Sequence, residues 1–369
     1  MKILRLLPLV FLFTDACIER LELPAPENQP RIVVDGLLTD VLGTHSVRLF
    51  RTGSLASKVS EVTPVLDATV TLLDNFGNSF DFGHTGNGVY SIRNFKGEIG
   101  RKYQLRFNTD DGKHYASTVQ ELMAGGTITD LNYQFVENAI NRDDPAAPHD
   151  VFRIYVDSKA QSDQAALFRW RWTSVYEALT FPQLRKKPKP DTTPVIFIYD
   201  PIPCSGHIAV AGGVAIAQMA PCECCTCWVT NDSETSMVSN NQFVTNPEFY
   251  NVQVAQIPVD WIKFQAKFYI KVEQLSLSEE VYEFWKNVQA QQEGTANIFQ
   301  PNVIRIRGNI SCVSDPSEDV AGIFSVAGST ERELFIERKA IPKVLYADTI
   351  INDCRKQYPG STNVKPLFW

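Results

Sequence analysis

The protein has 369 residues, of which 44% are hydrophobic and 21% charged, and its formal net charge is −7 at pH 7. An acidic chain lacks the basic face that phosphate backbones require, so the composition argues against a nucleic-acid partner. The length and the hydrophobic content suffice for a large core and favour two domains.

Residues 1–16 have the composition of a secretory signal peptide. Lys2 and Arg5 precede the apolar run of residues 6–13, which is too short to span a membrane as a stable helix. A cysteine at the end of such a segment resembles a bacterial lipoprotein signal, in which the thiol is acylated. Cys17 is therefore the predicted lipidation site, and its acyl chains are the predicted membrane anchor. A plain signal peptide with an incidental cysteine is the alternative.

Residues 17–30 are predicted to form an extended tether. Pro24, Pro26 and Pro30 stand among charged residues there. This composition keeps a chain extended, so the tether would hold the folded body away from the membrane surface.

The segment 31–123 has the pattern of an immunoglobulin-like antiparallel β-sandwich. Short runs rich in β-branched and aromatic residues, such as RIVVDGLLTD and ATVTLLDNFGN, alternate with turn residues. Hairpin turns are predicted at residues 75–78 and 111–112, because Asn, Asp and Gly tolerate positive φ. The predicted domain ends near Met123.

Residues 124–369 predict a second β-rich domain, with an insertion at 177–242 that is rich in Pro, Gly, Ser and Cys. In the run FRWRW, Arg169 and Arg171 alternate with the aromatic Phe168, Trp170 and Trp172. Stacked arginine and tryptophan side chains can bind a ligand by cation–π contact, but cross-strand packing is the preferred interpretation. The basic run at 185–189 is interpreted as a solvated segment.

One amphipathic helix is predicted at 277–293. Ser276 and Glu279 have the spacing of a capping box, and Gly294 stands where a left-handed stop is expected. Five apolar residues fall on one face of this helix, which predicts that it packs against the sheet: Leu277, Val281, Phe284, Trp285 and Val288.

The cysteines indicate disulfides, because an exported chain reaches an oxidising compartment. Apart from Cys17 there are seven: Cys204, Cys222, Cys224, Cys225, Cys227, Cys312 and Cys354. The four within residues 222–227 interleave too closely to surround one metal ion tetrahedrally, and close neighbours rarely meet disulfide geometry. We therefore expect bridges out of the cluster, from Cys204 as the nearest partner and from Cys312 and Cys354. A thiolate site for zinc or copper(I), a redox role and a free odd thiol are the alternatives.

No catalytic residue is predicted. The motifs G-x-S-x-G, H-E-x-x-H and the phosphate-binding loop are absent, and the five histidines are scattered. Cys204 and His207 place a thiol near an imidazole, but residues so close in sequence seldom have catalytic geometry. The sequence therefore predicts no enzyme activity, no cofactor and no metal, and it does not identify a ligand.

Several segments together resemble the domain-of-unknown-function 4249 family of Bacteroidota lipoproteins. They are ATVTLLDNFGN, GRKYQLRFNTDDGKHYAS, LSLSEEVYEFWKNVQAQ and RIRGNISCVSDPSEDVAGIFSVAG, and the resemblance covers about residues 31–339. The first half also resembles the carboxypeptidase-regulatory type of β-sandwich.

The family resemblance implies a lipid-anchored outer-membrane protein, on either face of that membrane. It further implies a TonB-dependent receptor as partner, in nutrient uptake or outer-membrane assembly. A cell-surface adhesin or glycan-binding module is the alternative, which would use exposed rings such as Trp170, Trp172 and Trp261.

Overall fold

The computed structural model describes residues 30–53, 62–140, 148–161, 166–233, 235–240, 248–294 and 306–369. The predicted signal peptide, Cys17 and all but the last residue of the predicted tether lie outside them. Of the described residues, 51% are in strands and 10% in helices, which confirms the predicted mainly β fold.

The first part of the chain contains nine strands within the described residues. They are β1 (Ile32–Thr39), β2 (Gly43–Arg51), β3 (Thr63–Pro64), β4 (Thr69–Asp74), β5 (Ser79–Gly86), β6 (Val89–Phe95), β7 (Lys102–Asn108), β8 (His114–Ser117) and β9 (Gln120–Glu121).

The second part contains longer strands and the helices. The strands are β10 (Thr127–Ala139), β11 (His149–Lys159), β12 (Phe168–Leu179), β13 (Lys186–Pro188), β14 (Phe197–Tyr199), β15 (His207–Val210), β16 (Ala215–Gln218), β17 (Thr226–Asp232), β18 (Met237–Val238), β19 (Glu248–Pro258), β20 (Lys267–Ser276), β21 (Ile310–Cys312) and β22 (Ala321–Glu337). The helices are α1 (Glu279–Gly294) and α2 (Cys354–Gln357).

The first part folds as a sandwich because its strands alternate between buried and exposed residues. In β7 the side chains of Tyr103, Leu105 and Phe107 are buried, and the residues between them face outward. Both predicted hairpin turns are confirmed: residues 75–78 join β4 to β5, and residues 111–112 lie between β7 and β8.

Strand β22 joins the two halves of the molecule. Its first part runs parallel to β1, from Val33 opposite Ala321 to Thr39 opposite Ala327. Its second part runs antiparallel to β20, so that a single strand belongs to both halves of one long sheet.

The first core is completed from the distal part of the chain. Ile310 and Cys312 of β21, with Phe324 and Val326 of β22, are buried among the side chains of β1 to β8. The domain boundary near Met123 stays a prediction, and residues 310–326 contribute to the core on its N-terminal side.

In the second part, the sheet β10–β11–β19 packs on one face of β12, β20 and β22. Phe152, Trp170, Phe264 and Phe268 are each at most 1% exposed in this interface. The indole N–H of Trp170 donates to the side-chain oxygen of Gln274 at 2.9 Å, which satisfies a polar group inside the core.

Helix α1 begins at Glu279, two residues later than predicted. The predicted capping role of Ser276 is wrong, because Ser276 ends β20 and its hydroxyl accepts from the backbone N–H of Gly126 at 3.0 Å. Val281 is fully buried against the sheet, whereas Trp285 of the same face is half-buried and lines a cleft.

Candidate binding surface on the disulfide-braced insertion

Residues 180–225 lie within the predicted insertion 177–242. They form one long connection that leaves the sheet and returns to it. The chain leaves after Leu179 and returns at Thr226, and these two residues face each other across the β12–β17 ladder. We call residues 180–225 the braced insertion, because disulfides fix its base.

Two disulfides lie within the braced insertion. Cys204 is bonded to Cys224, and Cys222 to Cys225, with Cα–Cα distances of 5.7 Å in both pairs. The sequence favoured bridges out of the cluster only. A three-residue separation around a bend brings Cys222 and Cys225 to the usual disulfide distance, so the cluster also closes on itself.

The third disulfide attaches the C-terminal part of the chain. Cys227, at the start of β17, is bonded to Cys354 of α2, and the backbone N–H of Cys354 donates to the carbonyl of Cys224 at 3.1 Å. The expected bridge from Cys312 is wrong. Cys312 is a free thiol, buried in the first sandwich where β21 pairs with β8, outside the cysteine cluster.

Cys204, Cys224 and Asp353 place three atoms of metal-binding type within 4.8 Å of one another. The two sulfurs are bonded to each other and therefore offer no thiolate ligand. Burial favours the neutral form of Asp353, but hydrogen bonds from Arg355 outweigh it and lower the pKa of this carboxyl. Asp353 accepts from the backbone N–H of Arg355 at 2.9 Å and so caps α2.

The thiol and imidazole that stand close in the sequence are not a catalytic pair in this structure. The sulfur of Cys204 is consumed by its disulfide. The Nδ1 atom of His207 lies 2.8 Å from the carbonyl oxygen of Ser205, a contact within the loop itself.

Two short hairpins form the outer part of the braced insertion, β13–β14 and β15–β16. They pack closely: a Cβ added to Gly213 would lie 2.7 Å from the Cβ of Ile198, and the φ of Gly213 is +88°. Glycine is therefore required there, because a side chain would separate the two hairpins.

The hairpins and their connections expose large apolar side chains. Val195, Phe197, Val214 and Met219 are 64%, 63%, 77% and 70% exposed. A groove of about 600 Å³ between the hairpins is lined by further apolar groups, among them Ile208. Exposed apolar side chains concentrated in one disulfide-held segment are typical of a surface that binds a partner.

The sequence carries a signal for this surface that is separate from its cysteines. Residues 207–219 read HIAVAGGVAIAQM, a run without a formally charged side chain in an otherwise polar insertion. Period-two alternation alone does not distinguish an exposed hairpin such as this one from a buried strand.

A charged group fixes the β13–β14 hairpin beside the apolar surface. The carboxylate of Asp200 pairs with Arg185 at 2.6 Å and with Lys187 at 3.0 Å. The hydrogen bond from Lys187 is the main cause that lowers the pKa of Asp200. The lysines of the run 185–189 are exposed, but residues 186–188 form a short strand.

The aromatic residues considered for glycan binding are largely packed. Trp170 is 1% exposed in the core, which removes it from any surface role. Trp172 and Trp261 are half-buried. Arg169 lies on the opposite face of β12 from Trp170, with its guanidinium carbon 3.4 Å from the centroid of the Trp285 ring.

The predicted lipidation site Cys17 lies outside the described residues. Within the described ranges, no helix has the length and apolar character needed to cross a membrane.

A family model described as Domain of unknown function (DUF4249) matches residues 18–333. A search of curated proteins gives no match.

Proposed function

The chain belongs to the family described as Domain of unknown function (DUF4249), and from this premise we propose a function without chemistry of its own. The protein is a lipid-anchored accessory subunit of the outer membrane. It binds a TonB-dependent receptor and supports nutrient uptake or outer-membrane assembly.

The observation that carries this proposal is the apolar surface of the braced insertion. Phe197 and Val214 expose most of their area to solvent, although the protein has a large hydrophobic core. Covering these side chains with a partner would recover the hydrophobic free energy that the free protein forgoes, about 25 cal/mol for each Å² of apolar surface.

The disulfides support the same proposal through preorganisation. Cys204–Cys224 and Cys222–Cys225 hold the base of the braced insertion, so the loop loses little conformational freedom when a partner binds. Disulfides persist in an oxidising compartment, which agrees with the predicted export and with acylation at Cys17.

The test uses the full chain with an affinity tag, expressed in a Bacteroidota host and purified from detergent-solubilised outer membranes. We expect a TonB-dependent receptor to co-purify in stoichiometric amount and to be identified by mass spectrometry. The double variant Phe197→Ser and Val214→Ser should stay in the membrane and lose the receptor, because only the docking surface is changed.

The matched control is Ile99→Ser, since Ile99 is 60% exposed in a turn of the first sandwich, far along the chain from the insertion. This variant should retain the receptor. Recovery of the unaltered protein alone, soluble in the periplasm, would refute the proposal. If the double variant bound the receptor as well as the unaltered protein does, the insertion would not be the docking surface.

A further inference from the structure

A polar cleft of about 630 Å³ lies where the first sandwich meets the second part of the molecule. Its floor is the face of β12, β20 and β22 that points away from the sheet β10–β11–β19. Strands β1 and β2 line one side, and Trp285 of α1 lines the other.

The floor of the cleft is a ladder of charged residues, because alternate residues of a strand share one face. Arg171 forms an ion pair with Glu273, its direct partner on β20. Lys271 pairs with Glu331 at 2.8 Å. These cross-strand pairs neutralise the middle of the cleft.

Arg169 differs from its neighbours at one end of this ladder. Within the described residues it has no ion-pair partner, and its Nε atom is buried without a hydrogen-bond acceptor. The guanidinium carbon lies 3.4 Å from the centroid of the Trp285 ring, a cation–π contact. Such a contact uses the planar face of the guanidinium. It leaves the N–H groups at the edge of that plane available to a hydrogen-bond acceptor.

Burial, followed by the neighbouring charge of Arg171, lowers the pKa of Arg169 to about 10. The side chain therefore remains a cation at neutral pH. The charges of Asp35 and Glu273 act in the opposite direction, but neither carboxylate forms an ion pair with Arg169 within the described residues, so a bound anion would relieve its desolvation.

Asp232 marks the other end of the ladder. It lies opposite Thr173, four residues along β12 from Arg169, and accepts from the Thr173 hydroxyl at 2.6 Å. No cation pairs with Asp232 within the described ranges. Four residues of strand span about 13 Å, so an unpaired cation and an unpaired anion lie roughly that far apart along the cleft.

We propose that this cleft binds a short zwitterionic peptide in an extended conformation. The peptide carboxylate forms a two-pronged pair with Arg169, and the peptide ammonium group pairs with Asp232. The planar guanidinium edge matches a carboxylate, and the cleft has a volume typical of small-ligand sites. An extended chain of about four residues spans the separation. The inference goes beyond the proposed docking role and does not rest on it.

The cleft's own charges favour a ligand of zero net charge. Four cations line it, namely Arg48, Arg169, Arg171 and Lys271, and four carboxylates, namely Asp35, Asp232, Glu273 and Glu331. A ligand with excess charge of either sign would meet like charges along the floor and the walls.

The test measures binding of tetra-alanine to the full protein by isothermal titration calorimetry, with intrinsic tryptophan fluorescence, to which Trp172 and Trp285 of the cleft contribute, as a second readout. We expect tetra-alanine to bind and to change the tryptophan emission. Its C-terminal amide, its N-acetyl derivative and dialanine should each bind at least tenfold more weakly, because each loses one of the two end contacts.

Two variants assign the ends of the ligand. Arg169→Gln should raise the Kd for tetra-alanine at least tenfold, and Arg169→Lys should restore it only in part, since an ammonium lacks the planar fork. Asp232→Asn, at an exposed position, should abolish the preference for the free amine. Lys102→Gln is the control and should leave the Kd unchanged, because it removes a cation that is 52% exposed on the first sandwich, outside the cleft.

Absence of binding at millimolar tetra-alanine would overturn the inference. Binding of the three modified ligands as tight as that of tetra-alanine would overturn it as well, and so would an unchanged Kd for tetra-alanine in both Arg169→Gln and Asp232→Asn.

Discussion

Cys227 and Cys354 are 127 residues apart in the chain, and a disulfide holds their Cα atoms 6.0 Å apart. The same connection is reinforced by backbone hydrogen bonds in both directions between Trp228 and Thr362. The disulfide therefore fixes the C-terminal segment against β17, beside the base of the braced insertion.

The three disulfides should contribute to stability in the order of their loop lengths. The sequence separations are 127, 20 and 3 residues, and in the chain-entropy model they correspond to about 5, 3 and 2 kcal/mol. Replacing both members of each pair by alanine in turn should lower the free energy of unfolding in that order. Guanidinium unfolding followed by circular dichroism measures it.

Cys227 and Cys354 are fully buried, whereas Cys222 and Cys225 are half-buried, so lost packing adds to the loop effect in the same order. The Cys222/Cys225 double variant is the internal control, because its loop is the shortest. If that variant were the least stable of the three, the disulfides would act on the folded state through local structure and not through the unfolded chain.

Cys312 should be the single free thiol of the mature chain. It is 2% exposed, so reagent cannot reach it in the folded protein. We expect no reaction with Ellman's reagent under native conditions and one thiol per chain in guanidinium without reductant. A second thiol would show that Cys17 is not acylated, and a Cys312→Ala variant assigns the signal.

Local features of the fold were predictable because they depend on neighbours in the chain. The turn at residues 75–78 needs a left-handed residue, and Gly77 has a φ of +87° there. The parallel pairing of Val33 with Ala321 has no such local cause, because it joins strands from opposite ends of the chain. Hydrophobic periodicity indicates a strand but not its partner.

In the candidate sites, too, local features were predictable from the sequence and long-range contacts were not. Cysteine content predicted disulfides, but only the folded structure distinguishes the bonded Cys354 from the free Cys312. The sequence of each segment predicts that Arg169 and Trp285 take part in packing, but it does not predict that they meet. Their stacking follows from the docking of α1 beside β12, a tertiary event that neither segment encodes alone.

Gly328 lies where β22 passes from one half of the molecule to the other. A Cβ at this position would collide with the backbone of Gly125 and Met123, which cannot turn aside as a flexible side chain can. Gly328→Ala should therefore destabilise the protein by about 1–3 kcal/mol, the usual range for overpacking. Thermal unfolding of the full chain measures the change.

Gly43→Ala is the control for this prediction. A Cβ at Gly43 would meet no atom within 4 Å, so this variant should unfold close to the unaltered protein. Equal stability of the two variants would mean that the backbone at residues 123–125 can shift, and that the crossing of β22 does not constrain the junction.

Asp74 should make the stability of the first sandwich depend on acid pH. Its carboxylate accepts from the backbone N–H groups of Phe76 at 2.9 Å and Asn78 at 2.8 Å, and it pairs with Arg101 at 2.9 Å. Burial acts to raise the pKa, but the hydrogen bonds from Asn78 and Phe76 and the charge of Arg101 outweigh it, so the pKa of Asp74 is lowered.

Because the folded pKa lies below the unfolded one, the unfolded chain binds more protons in that range, and stability rises with pH there. The contribution of Asp74 is complete above its unfolded pKa, about 3.9, and is lost as the pH falls through the folded value. In Asp74→Asn the difference in unfolding free energy from the unaltered protein should be largest at pH 7. It should shrink as the pH falls below about 4.

Urea unfolding over this pH series gives the measurement. Asp81→Asn, which changes an exposed carboxylate on the neighbouring strand, should shift stability much less at every pH. A difference between Asp74→Asn and the unaltered protein that stays constant from pH 7 to pH 2 would contradict the prediction, because it would reflect lost packing and not the lowered pKa.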